Sequence, residues 1–286
     1  MWTAIEPPSG EPPSGEPPSG EPPSGEPPSG ERPSGARPSG LAASLVLAST
    51  LALVCAPAPA ARASAEAAPF VVALDPGHGG SNLGTVVEGG LLEKDVTLAL
   101  ARRLGARLET APDVRVVICR DKDVLVPIRA RSRCAADARA DLFLSLHTNA
   151  TPPGVTPGSQ RGFELYVLPP DDVEDDATLA ALATTGPAGL WASHAIRAAA
   201  LRSVAAARAI ERRLREALGA HLARGVRQSG ASLDVLRGTR APSVLVELGF
   251  LDSALDRAIL VSAAGQDRVA AALADAVLDF RGAAPR

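Results

Sequence analysis

The sequence predicts an α/β sandwich: a mostly parallel central sheet flanked by helices, with an active site at the carboxyl ends of the strands. Three observations carry that expectation. Continuously apolar, β-branched runs recur as buried strands do; segments with apolar residues at helical spacing alternate with them; and several of the runs end on histidine or carboxylate.

The elements follow in order. PFVVALDPG (69–77) is a buried strand closed by Pro-Gly. Leu91 to Leu108 carries Leu92, Val96, Leu100, Leu104 and Leu108 on one stripe and predicts an amphipathic helix. VRVVIC (114–119) is a second strand, 128–139 an Arg/Ala-rich helix, and DLFLSLH (141–147) a third strand ending on histidine. RGFELYVL (161–168) alternates, so one of its faces is more polar. Helical spacing resumes near Leu190 and runs to about Leu222. SVLVELGF (243–250) is another buried strand, and Gln266 to Phe280 a closing helix.

Ahead of these lies a chain of different character. Residues 6–40 are five EPPSG pentads followed by ERPSG and ARPSG, with no large apolar residue. Such a segment buries too little surface to offset its ordering entropy, and 1–40 is expected to be disordered. LAASLVLASTLALVC (41–55) is uncharged and short of the roughly 20 residues of a membrane span, and fits the apolar region of a secretory signal. Small-residue cleavage sites follow between Ala58 and Ala65. The expected organisation is therefore repeats (1–40), signal and cleavage region (41–65) and one catalytic domain (66–286), exported to the periplasm or cell envelope without a stable transmembrane span. A net charge of −3 gives no reason to expect nucleic acid as a partner. Cys119 and Cys134 remain after signal removal, either as a disulfide or as two small buried hydrophobes.

Two of the four histidines, His78 and His147, stand at strand ends; His194 and His221 fall on helical segments and read as structural or solvated. Glu93 opens the first helix within LLEKDVT, where the helix dipole alone could account for it. Glu247 follows SVLV and precedes LGF, so its carboxylate is at least partly buried, which is costly without a partner or a metal. Two imidazoles and a carboxylate make a hydrolytic zinc set with an open fourth position, and the remaining carboxylate can serve as general base. Ser145 and Asn149, near His147, are candidate supports for the ligands. Gly77, Gly79 and Gly80 around His78 are expected to permit positive φ and to let a bulky substrate approach.

Four blocks, VVALDPGHGG, LLEKDVTLALARRL, ADLFLSLHTNA and PSVLVELGFLDS, occur in the order and spacing of the zinc-dependent N-acetylmuramoyl-L-alanine amidases of the type-3 family, which residues 70–280 resemble. The resemblance implies His78, Glu93 and His147 as zinc ligands, Glu247 as the catalytic carboxylate and Zn2+ as cofactor. It further implies peptidoglycan as substrate, with cleavage between N-acetylmuramic acid and L-alanine in cell-wall remodelling or daughter-cell separation. Arg131 matches a family arginine on the helix before the second histidine strand. Segment 171–200, with its acidic start, matches poorly, and the resemblance makes it an expected regulatory insertion on which an activator protein would act. The same metal chemistry permits a zinc peptidase acting within the stem peptide. A non-catalytic wall-binding module of the same fold is the third reading, disfavoured because all four polar residues are present.

Overall fold

The computed structural model describes residues 68–283 apart from 88, 170–172, 174–186 and 229–232. The expected repeats and signal region lie outside the described residues, as does all of 171–186 except Val173. In chain order the elements are β1 (Phe70–Pro76), β2 (Val86–Val87), β3 (Leu91–Leu92), α1 (Glu93–Leu108), β4 (Val114–Ile118), α2 (Ile128–Asp137), β5 (Leu142–Asn149) and β6 (Phe163–Val167). They continue with α3 (Pro187–Leu218), a 3-10 turn (Ala220–Leu222), β7 (Ala223–Gln228), β8 (Ser243–Phe250), α4 (Ala254–Val261) and α5 (Ala263–Ala283).

Most expected elements are present, with a few differences. Leu91 and Leu92 pair with Val87 and Val86 as an antiparallel ribbon, so α1 begins at Glu93 rather than Leu91. Its first turn then carries Glu93 and Asp95 against the positive end of the helix dipole. The helix expected to reach Leu222 stops at Leu218, because Gly219 takes φ 110°, which a helix interior does not allow. Beyond it Ala223–Gln228 forms a strand, and Ala254–Val261 an additional helix.

The six-stranded sheet has the order β4-β1-β5-β8-β6-β7. All neighbours run parallel except β6 and β8, which are antiparallel. The direction change matters for function: it brings the amino-terminal ends of β6 and β7 beside the carboxyl ends of β1, β5 and β8. Alternation divides the side chains between two layers. Val72, Leu74, Leu142, Leu144, Leu146, Phe163, Leu165, Val244 and Val246 pack with α1, α5 and the later turns of α3 in the larger core. Ala73, Phe143 and Leu245 pack on the other face with Ala135 of α2, Ala200 of α3 and Leu233, Val235 and Leu236. At about 25 cal/mol per Å2 of buried apolar area, these two layers are the main force holding the strand ends in register.

Cys119 and Cys134 are disulfide-bonded, which ties α2 to the end of β4. His194 and His221 are exposed, as expected. None of the described helices is long and apolar enough to cross a membrane.

Candidate metal and catalytic site

The site begins with the backbone just beyond β1. Strand pairing ends at Pro76, so the carbonyls of Pro76, Gly77 and His78 need partners from outside the sheet. Two buried guanidiniums take them. Arg120 donates to Pro76 O at 3.1 Å, Gly77 O at 3.0 Å and Lys94 O at 2.9 Å. Arg131 donates to Pro76 O at 2.7 Å and to His78 O, and pairs with Asp75 at 2.7 Å. Asp75 is completely buried and also accepts the Ser145 hydroxyl at 2.8 Å. A guanidinium presents five donors in a fixed plane, so one side chain fixes several carbonyls at once. This clasp holds His78 at φ 60°, a left-handed conformation uncommon outside glycine.

Gly79 and Gly80 take the positive φ expected of them, 125° and 58°, but the glycines around His78 do not hold space open. A Cβ on Gly77 would lie 2.4 Å from the His147 ring, and one on Gly79 only 2.3 Å from Val124 O. The room they leave is filled by the protein's own ring and backbone, not kept open for a substrate. Gly77→Ala would therefore push directly on His147.

Three side chains from three elements converge here. His78 comes from the loop after β1, Glu93 from the first residue of α1 and His147 from β5; their donor atoms all lie within 4.8 Å of one another. His78 Nε2 is 3.2 Å and His147 Nδ1 3.1 Å from the same oxygen, Glu93 Oε1. That oxygen also accepts Thr148 N at 2.9 Å, while Oε2 accepts Thr85 N at 2.8 Å. On the far side of His78, Nδ1 meets Asn82 Oδ1 at 2.8 Å, and Gly84 N donates to the same amide oxygen. An acceptor there places the proton on Nδ1 and leaves Nε2 as a lone pair facing the carboxylate. Two lone pairs at that separation repel unless a cation sits between them, and the donor set of two imidazoles and a carboxylate suits a metal ion.

Glu247 stands beside this group. It is in register with His147 on the neighbouring strand, so both side chains leave the same face of the sheet. Burial raises its pKa to about 7, and negative Glu93 and Glu164 add to the rise against the pull of the two histidines. Its Oε2 is buried with no hydrogen-bond partner. Glu93 moves the other way: burial would raise it, but the two imidazoles beside its carboxylate, His147 first, hold it well below the usual carboxylate range. Burial would lower His147, yet the bond to Glu93 and the charge of Glu247 leave it raised. Two carboxylates of one site are thus separated in acidity by their surroundings.

All four residues singled out in the sequence come together, and Arg131 grips the loop that carries His78. The supports do not match expectation. Ser145 binds Asp75 instead of a ligand, and Asn149 donates to Glu164 at 2.6 Å. Asn82 and Arg120 were not foreseen. Asn82 lies only four residues beyond His78, a separation a turn can close, and that spacing was the available signal. Arg120 gave none, because its partners lie up to 44 residues away.

Comparison with known proteins agrees with this geometry. Residues 72–279 match the family model for N-acetylmuramoyl-L-alanine amidase (Amidase_3). The chain is 32% identical over 223 residues to N-acetylmuramoyl-L-alanine amidase AmiC of Neisseria meningitidis, covering 72% of this chain and 51% of that protein. It is likewise 32% identical over 207 residues to the amidase LytC of Bacillus subtilis, covering 72% and 34%. The chain thus spans about half or less of the length of these relatives. Among solved structures, the amidase AmiC2 of Nostoc punctiforme superimposes with a TM-score of 0.58 at 28% identity, covering 74% of this chain and 97% of that one. The catalytic domain of the amidase CwlV from Paenibacillus polymyxa gives 0.57 at 26%, covering 75% and 99%. On the extent of the family match and the identity to its members, the chain belongs to the type-3 N-acetylmuramoyl-L-alanine amidase family.

Proposed function

We propose that this chain is an exported, zinc-dependent N-acetylmuramoyl-L-alanine amidase that hydrolyses the amide between N-acetylmuramic acid and L-alanine of peptidoglycan. The observation that carries the reading is the convergence of His78, Glu93 and His147 beside a half-buried Glu247 whose Oε2 is buried without a partner. His78, Glu93 and His147 would hold the ion, and Glu247 is the general base. When bound, zinc supplies Lewis-acid polarisation of the amide carbonyl and lowers the pKa of a water toward about 7. Glu247 takes the proton of the attacking water and returns it to the departing amine, a cycle that suits a carboxyl whose surroundings have raised its pKa. Arg120 and Arg131 fix the loop that presents His78, and Asn82 holds the proton on His78 Nδ1 so that Nε2 stays available. The disulfide supports an oxidising destination and hence export. Roles in wall remodelling or cell separation, and an activator acting on 171–200, extend the same reading.

Digestion of purified muropeptides tests it. The expected products are lactyl-muramic acid and an intact stem peptide; fragments cut between two amino acids would replace the amidase with a peptidase. No cleavage by the zinc-loaded protein would favour a wall-binding module.

Asn82→Ala should lower zinc affinity by about 10- to 100-fold, because the imidazole loses the partner that sets its tautomer. Competition with a chelator measures this, and unchanged affinity in a folded variant would remove Asn82 from the support of the site.

A further inference from the structure

Edge strand β7 carries two arginines that the hydrolytic chemistry leaves unused. A regular strand points residues three apart to opposite faces, yet Arg224 and Arg227 both reach Glu164 Oε2, at 3.4 and 2.8 Å. The cause is an irregularity in the pairing with β6. Phe163 faces Ala223 and Leu165 faces Val226, so β7 spends three residues where β6 spends two. Gly225 sits within the extra length at φ 97°, with nothing within 4 Å of where its Cβ would be. The glycine thus serves the backbone turn and not a tight contact. Bulges of this kind re-aim side chains, often beside active sites; a merely solvated edge strand needs none.

The bulge aims both guanidiniums toward the site. Glu164 is the register partner of Glu247 across the antiparallel pair, and its other oxygen is held by Asn149. Glu164 is buried and its pKa lowered: burial would raise it, but the bond from Arg227 and other partners prevail. One carboxylate facing two guanidiniums leaves a net positive charge. Arg224 is spent largely on the protein, stacking over Phe250 at 4.9 Å and bonding Gln160. Arg227 commits only Nε, its side chain is 49% exposed, and its two terminal nitrogens have no partner among the described residues.

We propose that Arg227, backed by Arg224 and fixed by Glu164, is the subsite for a free carboxylate on the peptide side of the cleaved amide. The inference rests on the amidase reading and deepens it by naming a substrate determinant. Two strand spacings separate β8 from β7, about 10 Å, which an extended peptide covers in about three residues. The carboxylate recognised therefore belongs to one of the first residues of the stem peptide. A guanidinium fork with free terminal nitrogens matches a carboxylate in two-point contact.

The test compares two N-acetylmuramoyl dipeptides that differ only in a free or an amidated α-carboxyl on the second residue. Binding is measured on zinc-loaded Glu247→Gln protein, so that neither is consumed. The free acid should bind about tenfold more tightly, Arg227→Met should reduce that preference to less than about twofold, and Arg227→Lys should restore part of it. Equal binding of the two ligands, binding of neither, or a preference that survives Arg227→Met would overturn the subsite. Turnover of both compounds by the unaltered protein separates the two readings. Cleavage without discrimination in binding removes only the subsite; discrimination without cleavage removes only the amidase assignment.

Discussion

Glu247→Gln protein should bind zinc as the parent does and lose about a thousandfold or more in kcat, with KM little changed. The reasoning is geometric. Glu247 is not among the three residues whose donor atoms cluster, so the amide replacement should leave the proposed ion holders intact while removing the proposed proton acceptor. Metal content and single-turnover cleavage check the two halves separately, and loss of zinc in this variant would mean that ligand and base have been exchanged. The same substitution has a consequence for stability in the metal-free protein. A carboxyl raised from 4.5 to about 7 by burial binds its proton more tightly folded than unfolded. Its contribution is present below pH 4.5 and is lost as the pH rises to 7, on the order of 3 kcal/mol. Glutamine does not titrate, so Glu247→Gln should gain on the parent across that window in urea denaturation.

His78→Ala should weaken zinc binding by well over 100-fold, beyond the effect of removing a supporting residue. His78 would supply one of three donor atoms, and the remaining two should not hold an ion with comparable strength. The clasp of Arg120 and Arg131 acts on backbone carbonyls, so the loop should stay in place and the loss should appear in affinity rather than in folding. Chelator competition gives the affinity and thermal unfolding the fold. Full occupancy in the variant would exclude His78 from the ligand set.

The sheet was readable where strands are buried on both faces. FVVALDP, LFLSLHTN and SVLVELGF are continuous apolar runs, and each ends in chemistry that apolar burial does not explain. β7 was not readable. ARGVRQ has one large apolar residue, two arginines and a bulge, as an edge strand with one neighbour can, and it follows a helix whose stripe runs up to it. The four polar residues at strand and helix ends stood out singly, whereas their supports did not. Arg120 and Asn82 are ordinary polar side chains whose importance comes from which carbonyl or imidazole they meet, and the fold alone decides that. Ser145 misled for the same reason: it shares a strand face with His147, but Asp75 on the neighbouring strand is nearer.

The bond between Cys119 and Cys134 also closes a ring of chain, and nearly everything that grips the His78 loop from that side lies within it. Arg120 and Arg131 are in the ring, as are Asp123, which receives Gly80 N at 2.7 Å, and Val124, whose carbonyl abuts Gly79. Leu125 and Ile128 within it are exposed. A single protease cut at that exposed stretch would open the ring without dividing the molecule: both new ends would remain covalently attached until a reductant released them.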